Sequence, residues 1–338
     1  MRNRSTLISV LVLIVLARNA TACLWTYGTN LDGRVSANLE EEPRDFSARF
    51  RRERQSRESW FAKAEEFKKR SADEPENHKL RNDYAVLLVR AGELDEALAV
   101  LNEIEAVNPG MYPTAANLGT VYELSGDVER ALHWIQEGIA RNPKSHSGSE
   151  WIHVRILQAK QEMAKDPGWL KSHSILGLDF GNEARPHQPT DEEIAALCGV
   201  SEHGDSQLGL LNYHMTVQLE ERTSLVKVPD PIVADLLFDL CNVLALQGPL
   251  ENAIAIGELA QQYELPRDEL LQLRLQHFRK LVREAEKPLL SPNQQIEQAI
   301  ISFLIFVSLC LLVFVALVVW WVRRRRKRGK LAQTTPLG

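Results

Sequence analysis

Residues 82–109 read NDYAVLLVRAGELDEALAVLNEIEAVNP, and residues 116–143 read ANLGTVYELSGDVERALHWIQEGIARNP. The second segment repeats the first at an offset of 34 residues, with glycine, alanine and proline at equivalent positions. The matched pairs are Gly92 and Gly126, Ala97 and Ala131, and Pro109 and Pro143. In each segment the apolar residues recur every three or four positions on both sides of the glycine, which predicts two helices joined by a tight turn. A repeat of this length predicts a mainly α protein built of stacked helical hairpins.

The residues at the predicted helix contacts carry a family resemblance. A small residue in the first helix, Ala85 or Gly119, is followed three positions later by a large one, Leu88 or Tyr122. Together with the turn glycine and the closing proline, this pattern resembles the tetratricopeptide repeat (TPR) family. The resemblance implies a TPR-like α-solenoid of helical hairpins over residues 58–169.

The same resemblance implies a binding surface. In that family the first helix of each hairpin lines a concave groove, and the groove binds a segment of another protein. The positions of this chain that match the groove positions of the family are Lys79, Asn82, Val86, Val89, Pro113, Ala116, Thr120 and Glu123. The implied function is that of a scaffold or adaptor that mediates protein–protein interactions.

The repeat pattern fades after residue 169. A capping box at Thr190 predicts the start of a short helix, and weak alternation over residues 212–228 predicts a strand. We therefore interpret residues 170–228 as a less regular insertion with short extended pieces. Residues 229–287 regain helical spacing and predict a degenerate TPR-like hairpin.

Both ends of the chain carry localisation signals. Residues 1–22 have a basic start, an apolar run and small residues before Cys23, which is the layout of a secretory signal peptide. Residues 299–322 contain no charge and, at about 1.5 Å per residue, predict a transmembrane helix of about 36 Å. Because cations that flank a span stay in the cytoplasm, the basic segment 323–338 predicts a cytoplasmic tail. These signals predict a single-pass protein of the cytoplasmic (inner) membrane with an extracytoplasmic, periplasmic body.

The charge distribution restricts the partners. Ten of the 40 Lys and Arg residues lie in the two terminal segments, whereas all 45 acidic residues lie between Asp32 and Glu297. The body is therefore acidic, which argues against nucleic acid as a partner because phosphate binding requires clustered cations. The predicted partners are other proteins, through the groove, and membrane lipids, through the transmembrane helix and the basic tail.

The sequence contains no established catalytic motif, and we predict no enzyme activity, no cofactor and no metal site. Two alternatives remain open. The first is a membrane-tethered enzyme with its site in the insertion, for which the candidate residues are His173, Asp179, His187 and His203. The second is a lipoprotein of envelope assembly in which Cys23 carries the lipid. Cys198 and Cys241 either pair as a disulfide or remain buried free thiols.

The predicted organisation has eight segments. They are a signal peptide (1–22), an N-terminal extracytoplasmic segment (23–57), the repeats (58–169, with the best units at 78–111 and 112–145), the insertion (170–228), the degenerate hairpin (229–287), a juxtamembrane linker (288–298), the transmembrane helix (299–322) and the tail (323–338).

Overall fold

The structure, a computed structural model, describes residues 27–37, 43–51, 56–201 and 206–286, together with a few positions between 300 and 311. These residues are mainly helical, as the sequence predicts. The α-helices of residues 27–286 are α1 (Pro43–Ala48), α2 (Arg57–Asp73), α3 (His78–Ala91), α4 (Leu94–Val107), α5 (Tyr112–Leu124), α6 (Val128–Arg141), α7 (Glu150–Lys165), α8 (Asp191–Cys198), α9 (Gln207–Leu225), α10 (Pro231–Gln247), α11 (Leu250–Gln262) and α12 (Asp268–Ala285).

The two repeated segments form the helix pairs α3–α4 and α5–α6. Gly92 follows the last residue of α3, and Gly126 lies two residues after the end of α5. Their φ values of 79° and 85° lie in the left-handed region, which glycine adopts without strain. Within α5, a Cβ atom on Gly119 would lie 2.5 Å from Cδ1 of Ile135 on α6. The small residue at this position therefore lets the two helices approach closely.

Each part of the chain has its own apolar core. The core of the repeats lies between α2 and α7, where Leu88, Leu101, Leu118 and Ile135 are at most 1% exposed. The core of the second part is centred on α10, whose residues from Ile232 to Ala245 are all buried. Helices α9 and α11 pack against α10, and Arg274 of α12 donates a hydrogen bond to its Asn242. These contacts explain why the sequence of α10 is mostly apolar, with Asp235, Asp239 and Asn242 as its buried polar residues.

The N-terminal segment forms a small two-stranded sheet against the second part. Strand β1 (Tyr27–Thr29) pairs antiparallel with β2 (Val35–Ala37). The backbone N–H and the hydroxyl of Thr29 donate hydrogen bonds of 2.9 Å each to the carboxylate of Glu251 on α11. These bonds attach residues that are remote in sequence to the helical body.

Two predictions for the second part need correction. Residues 212–228 contain no strand; they belong largely to helix α9, because the buried residues Leu208, Leu211, Met215 and Leu219 recur at helical spacing. Residues 229–287 hold more than one helical hairpin, since α12 follows the pair α10–α11. The capping box at Thr190 is present and begins α8.

The predicted membrane anchoring is also corrected. Among the described residues, no helix is long and apolar enough to cross a lipid bilayer. This finding contradicts the prediction of a single-pass membrane protein with a periplasmic body. The signal peptide, Cys23, the basic tail and most of residues 299–322 lie outside the described residues.

Candidate functional site

The residues that the resemblance assigns to the groove differ widely in exposure. On α3, Lys79 is exposed, Val86 and Val89 are half-buried, and Asn82 is buried. On α5, Thr120 and Pro113 are half-buried, whereas Ala116 and Glu123 are buried. The structure therefore leaves the α3 end of the predicted groove accessible and covers much of the α5 end.

Helix α9 covers the α5 end through an ionic cluster around Glu123, which we call the Glu123 cluster. The carboxylate of Glu123 accepts a hydrogen bond from Arg222 on α9. It also lies 2.7 Å from Nε2 of His153 and 2.7 Å from Nζ of Lys160, both on α7. The cavity that remains beside this cluster has a volume of about 30 Å³, close to that of one water molecule. A peptide therefore has no room at this end of the groove.

The pKa values of the Glu123 cluster show that it is charged. Burial opposes ionisation of Glu123, but Arg222 and His153 outweigh it and hold the pKa of Glu123 well below the usual range. Burial also disfavours the charged form of His153, yet the charge of Glu123 and hydrogen bonds to Glu123 and Glu150 raise the pKa of His153 to about 9. The cluster thus contains a permanent anion surrounded by cations at neutral pH.

A strained turn lies beside this cluster. His146 and Ser147, with φ values of 44° and 59°, are consecutive non-glycine residues in the left-handed region, which costs roughly 1–2 kcal/mol per residue. Helix α9 holds this turn, because the hydroxyl of Tyr213 donates to Ser147 Oγ at 3.0 Å and Gln218 Nε2 donates to Ser149 Oγ at 3.1 Å. The sequence gives no local signal for this arrangement, since each partner lies more than 60 residues away.

One cleft among the described residues has a volume of about 720 Å³, and we call it the Trp60 cleft. Its lining residues come from α2, the α3–α4 turn and the ends of α5 and α9. They are Ser56, Arg57, Trp60, Val89, Arg90, Ala91, Gly92, Leu94, Leu124, Ser224, Leu225 and Lys227. Of the predicted groove residues, Val89 alone belongs to this lining.

The Trp60 cleft combines cations with apolar surface. The charged residues among its described lining are Arg57, Arg90 and Lys227, all of them cationic. The guanidinium of Arg90 lies 5.0 Å from the ring centroid of Trp60, a cation–π distance that orients both side chains. Glu93, beside the cleft, is paired with Arg57 at 2.9 Å. A cationic cleft in an acidic protein is suited to an acidic ligand.

The residues of the enzyme alternative do not all converge. His173 and Asp179 line a second cavity of about 350 Å³, where both side chains are exposed. His187 is exposed and is not among the lining residues. His203 lies outside the described residues. The structure thus brings two of these four candidates to one cavity.

The remaining chemistry-bearing residues form no joint site in the described part of the chain. Cys198 and Cys241 are free thiols, so the disulfide that the sequence left open is not formed. Burial raises the pKa of the Cys241 thiol to about 12. No cluster of three or more His, Cys, Asp or Glu side chains that could hold a metal ion occurs among the residues described.

Comparisons with protein-family models and with curated proteins give no information on the function of this chain. No protein-family model matches the chain, and no curated protein matches it. The functional argument therefore rests on the residues and their geometry.

Proposed function

We propose that the chain is a TPR-like α-solenoid that binds an acidic, extended segment of another protein in the Trp60 cleft, and so acts as a scaffold or adaptor. The observation that carries the proposal is the lining of the cleft, in which the described charged residues are all cationic. The 34-residue repeat of the sequence supports the solenoid assignment.

The dimensions of the Trp60 cleft are compatible with a short peptide. Its volume of about 720 Å³ lies within the range of about 300–1,000 Å³ found for ligand sites in proteins. Its walls come from sequence-distant elements, because Leu124 ends α5 and Leu225 ends α9. An extended segment that crosses the cleft would contact both walls at once.

The chemistry of the lining defines the segment. Arg90 and Lys227 would pair with carboxylates, while Trp60, Leu124 and Leu225 offer apolar surface to a hydrophobic side chain. Arg90 is already oriented by the Trp60 ring, which lowers the entropy lost on binding. We therefore expect a sequence in which acidic residues flank an apolar one.

A peptide selection on the purified full chain tests the proposal. We expect a random peptide library to yield binders in which Asp or Glu flanks Leu or an aromatic residue. Their affinity should fall by about tenfold or more in Arg90→Glu and in Lys227→Glu, because each change removes a charged hydrogen bond and adds repulsion. Arg155→Glu alters an exposed cation on α7 outside the cleft and is the matched control.

Two outcomes would contradict the proposal. The first is a set of selected peptides with no acidic enrichment. The second is binding that Arg90→Glu and Arg155→Glu weaken equally, because the effect would then come from the net charge of the protein rather than from the Trp60 cleft.

A further inference from the structure

The turn that precedes α7 is a strained element that depends on contacts from elsewhere in the chain. It comprises Ser145–Gly148, and we call it the His146 turn. Its residues His146, Ser147 and Gly148 have φ values of 44°, 59° and 81°, so three consecutive residues adopt the left-handed conformation. Of the three, the glycine alone does so without strain. Such a conformation persists where surrounding contacts hold it, and the turn would relax if those contacts were lost.

His214 of α9 supplies one of these contacts. The residue is 3% exposed, and Nδ1 of its ring lies 3.0 Å from Nε1 of Trp151 on α7. The ring also forms a hydrogen bond with the backbone of Ser147, and a Cβ atom on Gly148 would lie 3.7 Å from Nε2. His214 therefore connects α9 both to the His146 turn and to the first turn of α7.

The hydrogen bond with Trp151 determines the protonation state of His214. An indole N–H donates and never accepts, so Nδ1 of His214 is the acceptor and carries no proton. A neutral imidazole binds an additional proton at its acceptor nitrogen, which here is Nδ1. Protonation of His214 therefore breaks the bond with Trp151, because two N–H groups would face each other. Burial also disfavours the charged ring and, although the bond with Ser147 favours it, lowers the pKa of His214 below 6.5.

The other titratable groups around the turn respond differently to acid. His146 contacts Glu150 and lies 3.7 Å from Glu221. The hydrogen bond with Glu150 outweighs burial and raises the pKa of His146 above 6.5, so protonation strengthens this contact. The pKa of His153 is raised to about 9 by Glu123 and that of Glu150 is lowered to about 2, so both side chains stay charged between pH 7 and pH 5.

The charged groups on the remaining neighbours of α9 have partners of their own. These neighbours are α8, α10 and the short helical turn Arg49–Arg51. The pairs are Arg49 with Glu220, Asp235 with Arg267, Asp239 with Ser174, and Glu193 with Thr190. Burial is therefore the main reason why His214 resists protonation, and its loss of the Trp151 bond is the acid-sensitive event at this turn.

We propose that His214 is an acid-sensitive latch: uptake of a proton from solvent at Nδ1 breaks its bond with Trp151, and the His146 turn then relaxes and separates from α9. The bonds from Tyr213 to Ser147 and from Gln218 to Ser149 hold the same turn to α9 and weaken with it. This inference concerns the docking of α9 and does not rest on the proposed binding of a peptide in the Trp60 cleft.

Hydrogen–deuterium exchange of the full chain at pH 7 and pH 5 tests the proposal. After correction for the pH dependence of intrinsic exchange, the backbone amides of residues 145–149 and 207–219 report the opening. A released His214 has its usual pKa of 6.5, so acidification from pH 7 to pH 5 favours the open state by up to about 25-fold through this residue alone. His146 acts in the opposite direction. The decisive quantity is therefore the difference between the wild-type protein and a variant in which residue 214 does not titrate.

His214→Asn provides this comparison, because an amide oxygen accepts the Trp151 bond and does not titrate; His214→Gln serves the same purpose with a longer side chain. The change in exchange from pH 7 to pH 5 should be about 2–25-fold larger in the wild-type protein than in either variant. In both variants acid should leave exchange unchanged or slow it, since His146 remains. His133→Asn removes an exposed histidine of α6 and, as the matched control, should keep the wild-type response.

Circular dichroism of the same samples at both pH values shows which variants are folded. An acid response in a folded His214→Asn or His214→Gln variant that equals the wild-type response would overturn the proposal. A response that His133→Asn reduces as much as His214→Asn would also overturn it, because the effect would then not come from the latch.

Discussion

Replacing Glu123 with Gln removes the one carboxylate shared by three cationic side chains, Arg222, His153 and Lys160. Removal of one partner from a buried ion pair costs about 3–5 kcal/mol, because the remaining charge stays buried. The pKa of His153 gives a second estimate. Its rise from 6.5 to about 9, to which Glu123 and also Glu150 contribute, corresponds to roughly 3–4 kcal/mol at about 1.4 kcal/mol per pKa unit. We therefore expect Glu123→Gln to lower the free energy of unfolding by about 3–5 kcal/mol.

Urea unfolding at about pH 7, followed by circular dichroism, measures this change. Glu129→Gln removes an exposed carboxylate on the neighbouring helix α6 and should alter the free energy of unfolding by less than about 0.5 kcal/mol. A loss below about 1 kcal/mol for Glu123→Gln would refute the reasoning, since the cluster would then add no more than a surface ion pair.

The pH dependence of the free energy of unfolding is an independent test of the same cluster. The folded state raises the pKa of His153 from 6.5 to about 9. The contribution of His153 to the free energy of unfolding is therefore complete below about pH 6.5 and is lost as the pH rises through 9. The folded state lowers the pKa of Glu150 from 4.5 to about 2, since hydrogen bonds from His146 and His153 outweigh its burial. That contribution is present above about pH 4.5 and is lost as the pH falls towards 2. In Glu123→Gln the alkaline decline should become much smaller; an unchanged decline would contradict the assignment to His153.

Further predictions concern packing and reactivity. Gly119→Ala should destabilise the protein by about 1–3 kcal/mol in urea unfolding, because the new methyl group would clash with α6; Gly138→Ala, whose Cβ would lie at an ordinary 3.4 Å from its nearest neighbour, should not. In the native protein a thiol reagent should modify half-exposed Cys198 much faster than buried Cys241, as site-resolved mass spectrometry would show. Arg274→Leu should remove the guanidinium donor from the backbone oxygens of Phe180, Gly181 and Glu183, of which Phe180 keeps the N–H of His187. The loop of residues 172–182 should then become susceptible to limited proteolysis.

Local signals in the sequence predicted the helices of the repeats well. The turn glycines Gly92 and Gly126 end regular apolar patterns, and both adopt the left-handed conformation that such a position requires. Likewise, the capping box that starts at Thr190 involves residues three positions apart, and its hydrogen bonds are present. In each case the residues that determine the local conformation are separated by no more than about one helical turn in the sequence.

Long-range contacts explain what the sequence analysis missed. Helix α9 buries polar residues such as His214 and Gln218 beside its apolar ones, which obscures the helical pattern and makes a weak alternation look like a strand. The burial of Glu123 depends on Arg222, which lies 99 residues away in the chain. No spacing rule within a repeat could have shown that this groove position is occupied by another helix.

The docking of α9 also determines which predicted groove positions are covered and which side chains line the Trp60 cleft. Glu123 and Leu124 are adjacent at the end of α5, yet the first is buried under α9 and the second lines the Trp60 cleft. The far wall of the cleft is formed by Ser224 and Leu225, the last residues of α9. The Glu123 cluster therefore has two effects. It covers Glu123, a position that the resemblance predicts to line a groove, and it anchors α9, whose last residues form one wall of the Trp60 cleft. For this reason, a variant that weakens the contact between α5 and α9 should lower both the free energy of unfolding and the affinity of the Trp60 cleft for the proposed acidic peptide.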